Sequence, residues 1–166
     1  KGLTHKKELV RFWVCGLLSE IRPKGGFNAL VKALKDPKIR VHAGALFALG
    51  SYKDRRAVPY LLAALKERDV NLRIAAAIGL GTLADPASFD SLIEALKDKD
   101  DEVRGYAMLA LGDIGDKRAV GPVITRLEQD LKPRVRALAC ATLAMLKSKK
   151  ALTPMITALE KDLNPD

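Results

Sequence analysis

Apolar residues along this chain fall into columns rather than long runs. Leu34, Leu65 and Leu96 stand in the near-identical settings ALKDP, ALKER and ALKDK at spacings of 31 residues, with Leu127 following at 31 and Leu159 at 32. A second column runs Val10, Val41, Leu72 and Val103 at 31, then Val135 at 32. The shared slip of one residue lies in the preceding loop, where Lys132-Pro133 extends the turn. A polar column accompanies them: Asp54, Asp85, Asp116 and, with the slip, Ser148. Each is expected to cap the first free N–H groups of the helix that follows, with Pro86 at the first helical position after Asp85.

Each period holds two stretches of helical periodicity. The first, helix A, is predicted over residues 57–67 in one copy and 119–129 in another. The second, helix B, is predicted from about Asp69 to Gly81, and the opening partial unit reads as a helix B over residues 6–19. Pro37 and Pro133 are placed in the A–B turn, where a missing N–H costs nothing. Gly50, Gly81 and Gly112 are read as closing successive B helices through a positive φ. Such hairpins cannot bury their apolar faces alone and must stack on one another. The predicted fold is therefore all-α: an α-α superhelix, or solenoid, of about five helical-hairpin units breaking near residues 26, 57, 88, 119 and 151. It is expected to form a single domain over residues 1–166. Both ends fall inside a unit, since Asp162-Leu163-Asn164-Pro165-Asp166 repeats the pattern of Asp130-Leu131-Lys132-Pro133-Arg134. The expectation is an internal slice of a longer array.

Composition agrees with this reading. The chain is 48% hydrophobic but only 5% aromatic, with Ala and Leu, strong helix formers, carrying the apolar content. A charged fraction of 30% argues for a soluble protein. No run approaches the roughly 18–20 apolar residues of a membrane span, and no apolar h-region of a signal peptide is present. Cys15 and Cys140 stand four repeats apart, on the order of 40 Å at about 10 Å per packed helix layer, too far for a disulfide. They are expected to be buried thiols, which suits a reducing, cytoplasmic setting. A net charge of +9 raises an acidic partner or a phosphate backbone as candidates.

The string D-x-x-V-R-x-x-A-x-x-A-L-G-x-I-G-D-x-R-A-V-x-P-L, closest from Asp101-Glu102-Val103-Arg104 through Ala119-Val120, resembles HEAT repeats of the short subtype first associated with phycobilisome lyases. Arg11, Arg73, Arg104 and Arg136 occupy the arginine of its Val-Arg position. The resemblance covers nearly the whole chain and is specific for fold, while the repeat serves many scaffolds and a few enzymes. HEAT-like deoxyhypusine hydroxylases carry His-Glu pairs for a di-iron site; here His42 takes the arginine's place and is followed by Ala43, so that activity is not implied. His5 has no metal-ligand neighbour at helical spacing either. Gly79-Leu80-Gly81-Thr82-Leu83-Ala84 matches a nucleotide-binding fingerprint, but at the end of a helix and not between a strand and a helix. No catalytic set, metal site or cofactor is expected. Carboxylates of the A–B turns are expected to pair with the Val-Arg arginines of neighbouring repeats.

Two surfaces remain as candidates. Numbering helix B from its Val column as zero, positions +2, +3 and +6 cluster opposite the core stripe, on the side that lines the concave face in this repeat family. They are uncharged throughout: Phe12, Trp13 and Gly16; Ala43, Gly44 and Phe47; Ile74, Ala75 and Ile78; Gly105, Tyr106 and Leu109; Ala137, Leu138 and Ala141. Arg40, Asn71, Glu102, Arg134, Glu20, Ser51, Thr82 and Asp113 form a polar rim. An apolar strip with a polar rim is the anatomy of a protein-binding groove, and Phe12, Trp13, Phe47, Ile74, Ile78, Tyr106, Leu109 and Leu138 are its candidate contacts. The alternative is that successive B helices close over these side chains. The second surface is a basic ridge in the loops joining B to the next A: Arg22, Lys24, Lys53, Arg55, Arg56, Lys117, Arg118, Lys147, Lys149 and Lys150. The leading functional reading is a non-enzymatic scaffold holding another protein or peptide along helix B. Nucleic-acid or polyanion binding through the ridge ranks second, because aromatics and charges are assigned to different surfaces. A bilin lyase-like subunit, implied only by the name of the repeat subtype, ranks third.

Overall fold

In a computed structural model, which describes residues 2–163, every apolar period of the sequence folds as helix. The residues Asn164-Pro165-Asp166, part of the pattern expected to restart the repeat, lie outside the described residues. The chain divides into two compact units, Lys1–Asp85 and Pro86–Asp166.

The first unit holds α1 (Glu8–Ile21), α2 (Gly26–Ala33), α3 (Ile39–Ser51), α4 (Val58–Ala64) and α5 (Val70–Leu83). Its B helices α1, α3 and α5 pack side by side, and the A helices α2 and α4 cover them. Leu30, Val41, Leu46, Leu49, Leu61 and Leu80 are fully buried between the two layers. The second unit holds α6 (Phe89–Ala95), α7 (Asp101–Ile114), α8 (Val120–Gln129), α9 (Pro133–Met145) and α10 (Leu152–Leu163). Here α7 packs on α9, with α6 and α8 against them and α10 beyond α8. Leu92, Val103, Met108, Leu111, Leu127 and Leu143 form its sealed interior. Pattern and burial agree because each apolar column returns to the same side of its helix every period.

Helix A begins differently from expectation. The polar column opens a short 3-10 turn, Arg55–Ala57 or Lys117–Ala119, and the α-helix starts one residue later. Asp54 accepts from the Arg56 N–H and Asp116 from the Arg118 N–H, but Ser148 makes no side-chain cap bond. Pro133 lies not in the turn but at the first position of α9, where φ is already suitable and no intrahelical donor is lost.

The expectation for Gly50, Gly81 and Gly112 needs correction. All three lie inside their helices, buried, and none has a positive φ. A Cβ on Gly50 would fall on the backbone of Gly79 in the neighbouring B helix, and one on Gly112 would meet the Met145 Sδ at 3.0 Å. Gly50 and Gly112 are small because a neighbouring B helix packs against them there. Left-handed backbone comes three residues later, at Arg22, Lys53, Ala84, Gly115 and Lys147, a column in which only Gly115 is free of the Cβ penalty. Cys15 is buried as expected, and burial pushes its thiol up to about 11. Cys140 is only half-buried.

The carboxylate–arginine pairing is present. Arg11 reaches across to Asp36 with its Nε at 2.6 Å and Nη2 at 3.0 Å, while its Nη1 donates back to the carbonyls of His5 and Lys6. Arg104 repeats the geometry, with Asp130 at 2.7 and 2.9 Å and the carbonyls of Asp98 and Lys99 behind it. Each arginine thus clamps its own A–B turn and the turn of the next repeat through two parallel N–H···O bonds. Asp36 also accepts from the Lys38 N–H, and the arginine beside it holds its carboxyl below the usual range. Burial opposes the charge of Asp130, but the Arg104 fork and the Lys132 N–H outweigh it and lower that carboxyl as well. His42, standing in for an arginine, is half-buried, and burial lowers its pKa against the raising effect of Glu67.

Candidate functional site

The uncharged strip of helix B is neither sealed nor fully open. In the first unit Phe47 is the most exposed residue at the +6 position, at 47%, and Phe12, Ala43, Ile74 and Ile78 around the same register are half-buried. Arg40, Asn71 and Glu20 are exposed beside them, and Ser51 and Thr82 half-exposed. Phe12 owes its partial cover to a close fit: its ring lies where a Cβ on Gly44 of α3 would come within 2.8 Å, and the Arg40 guanidinium sits 5.4 Å above it. In the second unit Tyr106, Leu109 and Leu138 are half-buried and Ala137 and Ala141 exposed. Gly105 is buried because Leu138 of α9 reaches over it, its Cδ1 lying 2.6 Å from where a Cβ would stand. Across this surface Arg134 pairs with Glu102 at 2.6 Å.

Trp13 stands apart from that strip. It is 69% exposed and meets Phe12 edge-on, with ring centroids 5.4 Å apart. With Leu9, Leu17 and Ile21, all exposed, it forms an i, i+4 stripe along α1, beside a cleft that also includes Val10, Val14 and Glu20. In later B helices the register of Trp13 and Leu17 is filled by Ala75 and Gly79 or by Tyr106 and Ala110. Ala75, Gly79 and Ala110 are buried, and Gly79 lies against Leu46 and Gly50 of the preceding helix. Trp13 therefore occupies the helix-stacking side of α1. The four-residue spacing was visible in the sequence, but the role of that side becomes clear only from the packed copies.

The basic ridge changes most. Arg55 binds the nearly buried carboxylate of Asp85 with its Nε at 2.6 Å. Arg56 turns back on Asp54 at 2.6 Å and lies 4.4 Å over the Phe27 ring. Arg118 does the same with Asp116 at 2.7 Å and Phe89 at 4.2 Å. Arg22 donates to the Ser51 carbonyl at 2.9 Å, and Lys53 to the Thr82 carbonyl. Separating aromatics from charge was wrong for these loops: Phe27 and Phe89, absent from the strip, are lids under two of the arginines. Hydrogen bonds from their partners lower the carboxyls of Asp54 and Asp116. Lys24, Lys117, Lys147, Lys149 and Lys150 are exposed and, among the described residues, have no carboxylate partner. Four of these five, Lys24 excepted, lie together around one cleft in the second unit.

Among the described residues no group of three or more His, Cys, Asp or Glu side chains could hold a metal ion, and no helix is long and apolar enough to cross a membrane.

A family model described as HEAT repeats matches residues 27–105 and 89–166. No curated protein matches. Among solved structures, the complex of CpcE and CpcF of phycocyanin lyase from Nostoc sp. PCC7120 is similar at a TM-score of 0.75 and 24% identity, covering 99% of this chain and 69% of that one. An engineered protein aligns at 0.62 and 21%, covering 98% and 84%. YibA of E. coli aligns at 0.62 and 19%, covering 99% and 74%. At these identities the likeness is one of fold.

Proposed function

The chain belongs to the HEAT repeat family, and we propose that it works as a non-enzymatic interaction scaffold, binding another protein or a peptide along the uncharged strip of its B helices. The observation that carries this reading is Phe47. It is a large aromatic side chain about half exposed, amid half-buried Phe12, Ile74 and Ile78, with polar groups only at the edges. An aromatic anchor inside a polar rim is where binding energy concentrates in protein interfaces. In the second unit Leu109 stands in the register of Phe47, with half-buried Tyr106 and Leu138, in the register of Trp13, as further contacts. Trp13 is a contact of a different kind, on the stacking side of α1.

The broad polyanion reading loses support where Arg22, Lys53, Arg55, Arg56 and Arg118 are each occupied by a partner within their unit. A lyase-like role rests on similarity at 24% identity and has no side chain of this chain arguing for it.

The test is affinity capture from extracts of the source cell with the wild-type chain, Phe47→Glu and Lys149→Ala as baits, after circular dichroism has shown equal helicity. The expected result is a set of proteins retained by wild type and Lys149→Ala but lost with Phe47→Glu. Identical capture by all three folded baits would sink the strip as the binding surface.

A further inference from the structure

The loop chemistry of the two units contains a charge imbalance that repetition does not require. In the polar column, the aspartate has two electrostatic duties. It pairs with the basic residue two positions on, as Asp54 does with Arg56 and Asp116 with Arg118. It also receives the first basic residue of the preceding loop, as Asp85 receives Arg55. In the next copy of the column Ser148 replaces the acid, and its hydroxyl does not even cap the turn. Lys150 takes the place of Arg56 and Arg118, and Lys117 the place of Arg55, so both counterparts of those ion pairs have lost their carboxylate. Lys147 and Lys149 flank the same serine.

These four lysines are not scattered. Lys117, Lys147, Lys149 and Lys150 line a cleft of about 600 Å³ together with Ser148, and its remaining lining is Val120, Gly121 and Ile124. Gly121 has nothing within 4 Å of where a side chain would stand, which leaves the mouth open. The nearest acid in sequence, Asp116, is held by Arg118 at 2.7 Å. Among the described residues, the cleft therefore combines a positive rim, whose lysines have no carboxylate partner, with an apolar floor.

We infer that this cleft between the α7–α8 and α9–α10 loops is a docking site for an acidic protein segment, one whose carboxylates flank an apolar side chain. The lysines meet the carboxylates, and Val120 and Ile124 take the apolar group. A protein segment fits better than a nucleic acid for two reasons. The cleft lining offers no aromatic face for a base to stack on, and the arginine that would extend the charge along the loop, Arg118, is neutralised. Charge complementarity of this kind raises the association rate and sets partner choice. This surface is separate from the Phe47 strip, so the two readings stand or fall independently.

The experiment is a fluorescence-anisotropy titration of the full chain with a short fluorescein-labelled peptide of Asp and Glu residues bearing a central leucine pair. The decisive variant is Ser148→Asp, which restores the column's own acid beside Lys117 and Lys150 and is expected to keep full helicity and at least the wild-type melting temperature. Binding should weaken about tenfold in Ser148→Asp and at least as much in Lys149→Ala/Lys150→Ala, and it should fall as salt rises. Unchanged affinity in Ser148→Asp would overturn the assignment. So would tighter binding of single-stranded RNA than of the peptide, or equal binding of an all-glutamate peptide without the leucines.

Discussion

Ala84 shows how a single position can be costly in a well-packed repeat. It closes α5 in the left-handed region at φ 55°, where its Cβ crowds the following carbonyl, while Gly115 takes the same place after α7 at φ 76° without that penalty. Ala84→Gly should therefore raise stability by about 0.5–1 kcal/mol, read as a higher urea midpoint with an unchanged m-value. The column was legible in principle, since Arg22, Lys53, Ala84, Gly115 and Lys147 share the period. It escaped because four of its five members are residues that do not advertise a positive φ. Ser148 is the opposite case. The sequence marks it plainly as the odd member of an aspartate column, but its consequence depends on which lysines the acid would have met.

At the level of the element, the B helices approach one another closely enough that small residues become obligatory on one side. The backbone of Gly79 occupies the space where a Cβ on Gly50 would lie, so Gly50→Ala should push α3 and α5 apart and cost about 2–3 kcal/mol. Gly16 sits mid-helix in α1 with nothing within 4 Å of a notional Cβ. Gly16→Ala should accordingly gain about 0.5–1 kcal/mol from helix propensity alone. Opposite signs for the same substitution, measured by thermal melts followed at the helical circular-dichroism band, would separate the packing role from any role in ending a helix. Helix type and approximate bounds were readable from periodicity, because they depend on neighbours three and four residues away. The reason for the glycines was not, because the clashing atom lies in the next B helix, at Gly79 for Gly50 and at Met145 for Gly112.

For the molecule as a whole, stability is coupled to pH through the aspartates. The carboxyls of Asp36, Asp54, Asp116 and Asp130 all lie below their ordinary range in the folded chain, through arginine partners and backbone N–H groups. A depressed folded-state pKa stabilises the fold above the unfolded value of about 4, and that contribution is lost as pH falls through the folded values. The melting temperature should thus be nearly flat between neutrality and about pH 5 with respect to these groups and fall steeply below about pH 4. A melting temperature that stayed level down to pH 2 would show that the arginine–aspartate ladder contributes little to either unit.

The sequence by itself determined the period, the helical class, the two-helix unit and the pairing of Val-Arg arginines with turn aspartates. These are legible because they recur, and recurrence averages out the accidents of any one copy. Tertiary structure decided what each surface has left to offer. Phe47 is open while Phe12, one repeat earlier, is half-covered, because Gly44 admits the Phe12 ring and Arg40 lies over it. Arg55 and Arg56 are neutralised while Lys117 and Lys150 are not, because a carboxylate stands within reach of the first pair and a serine within reach of the second. Exposure and net charge at a site depend on contacts that are two residues apart for Arg56 and Asp54 but 30 apart for Arg55 and Asp85, and a column pattern can align such partners but cannot evaluate their contact.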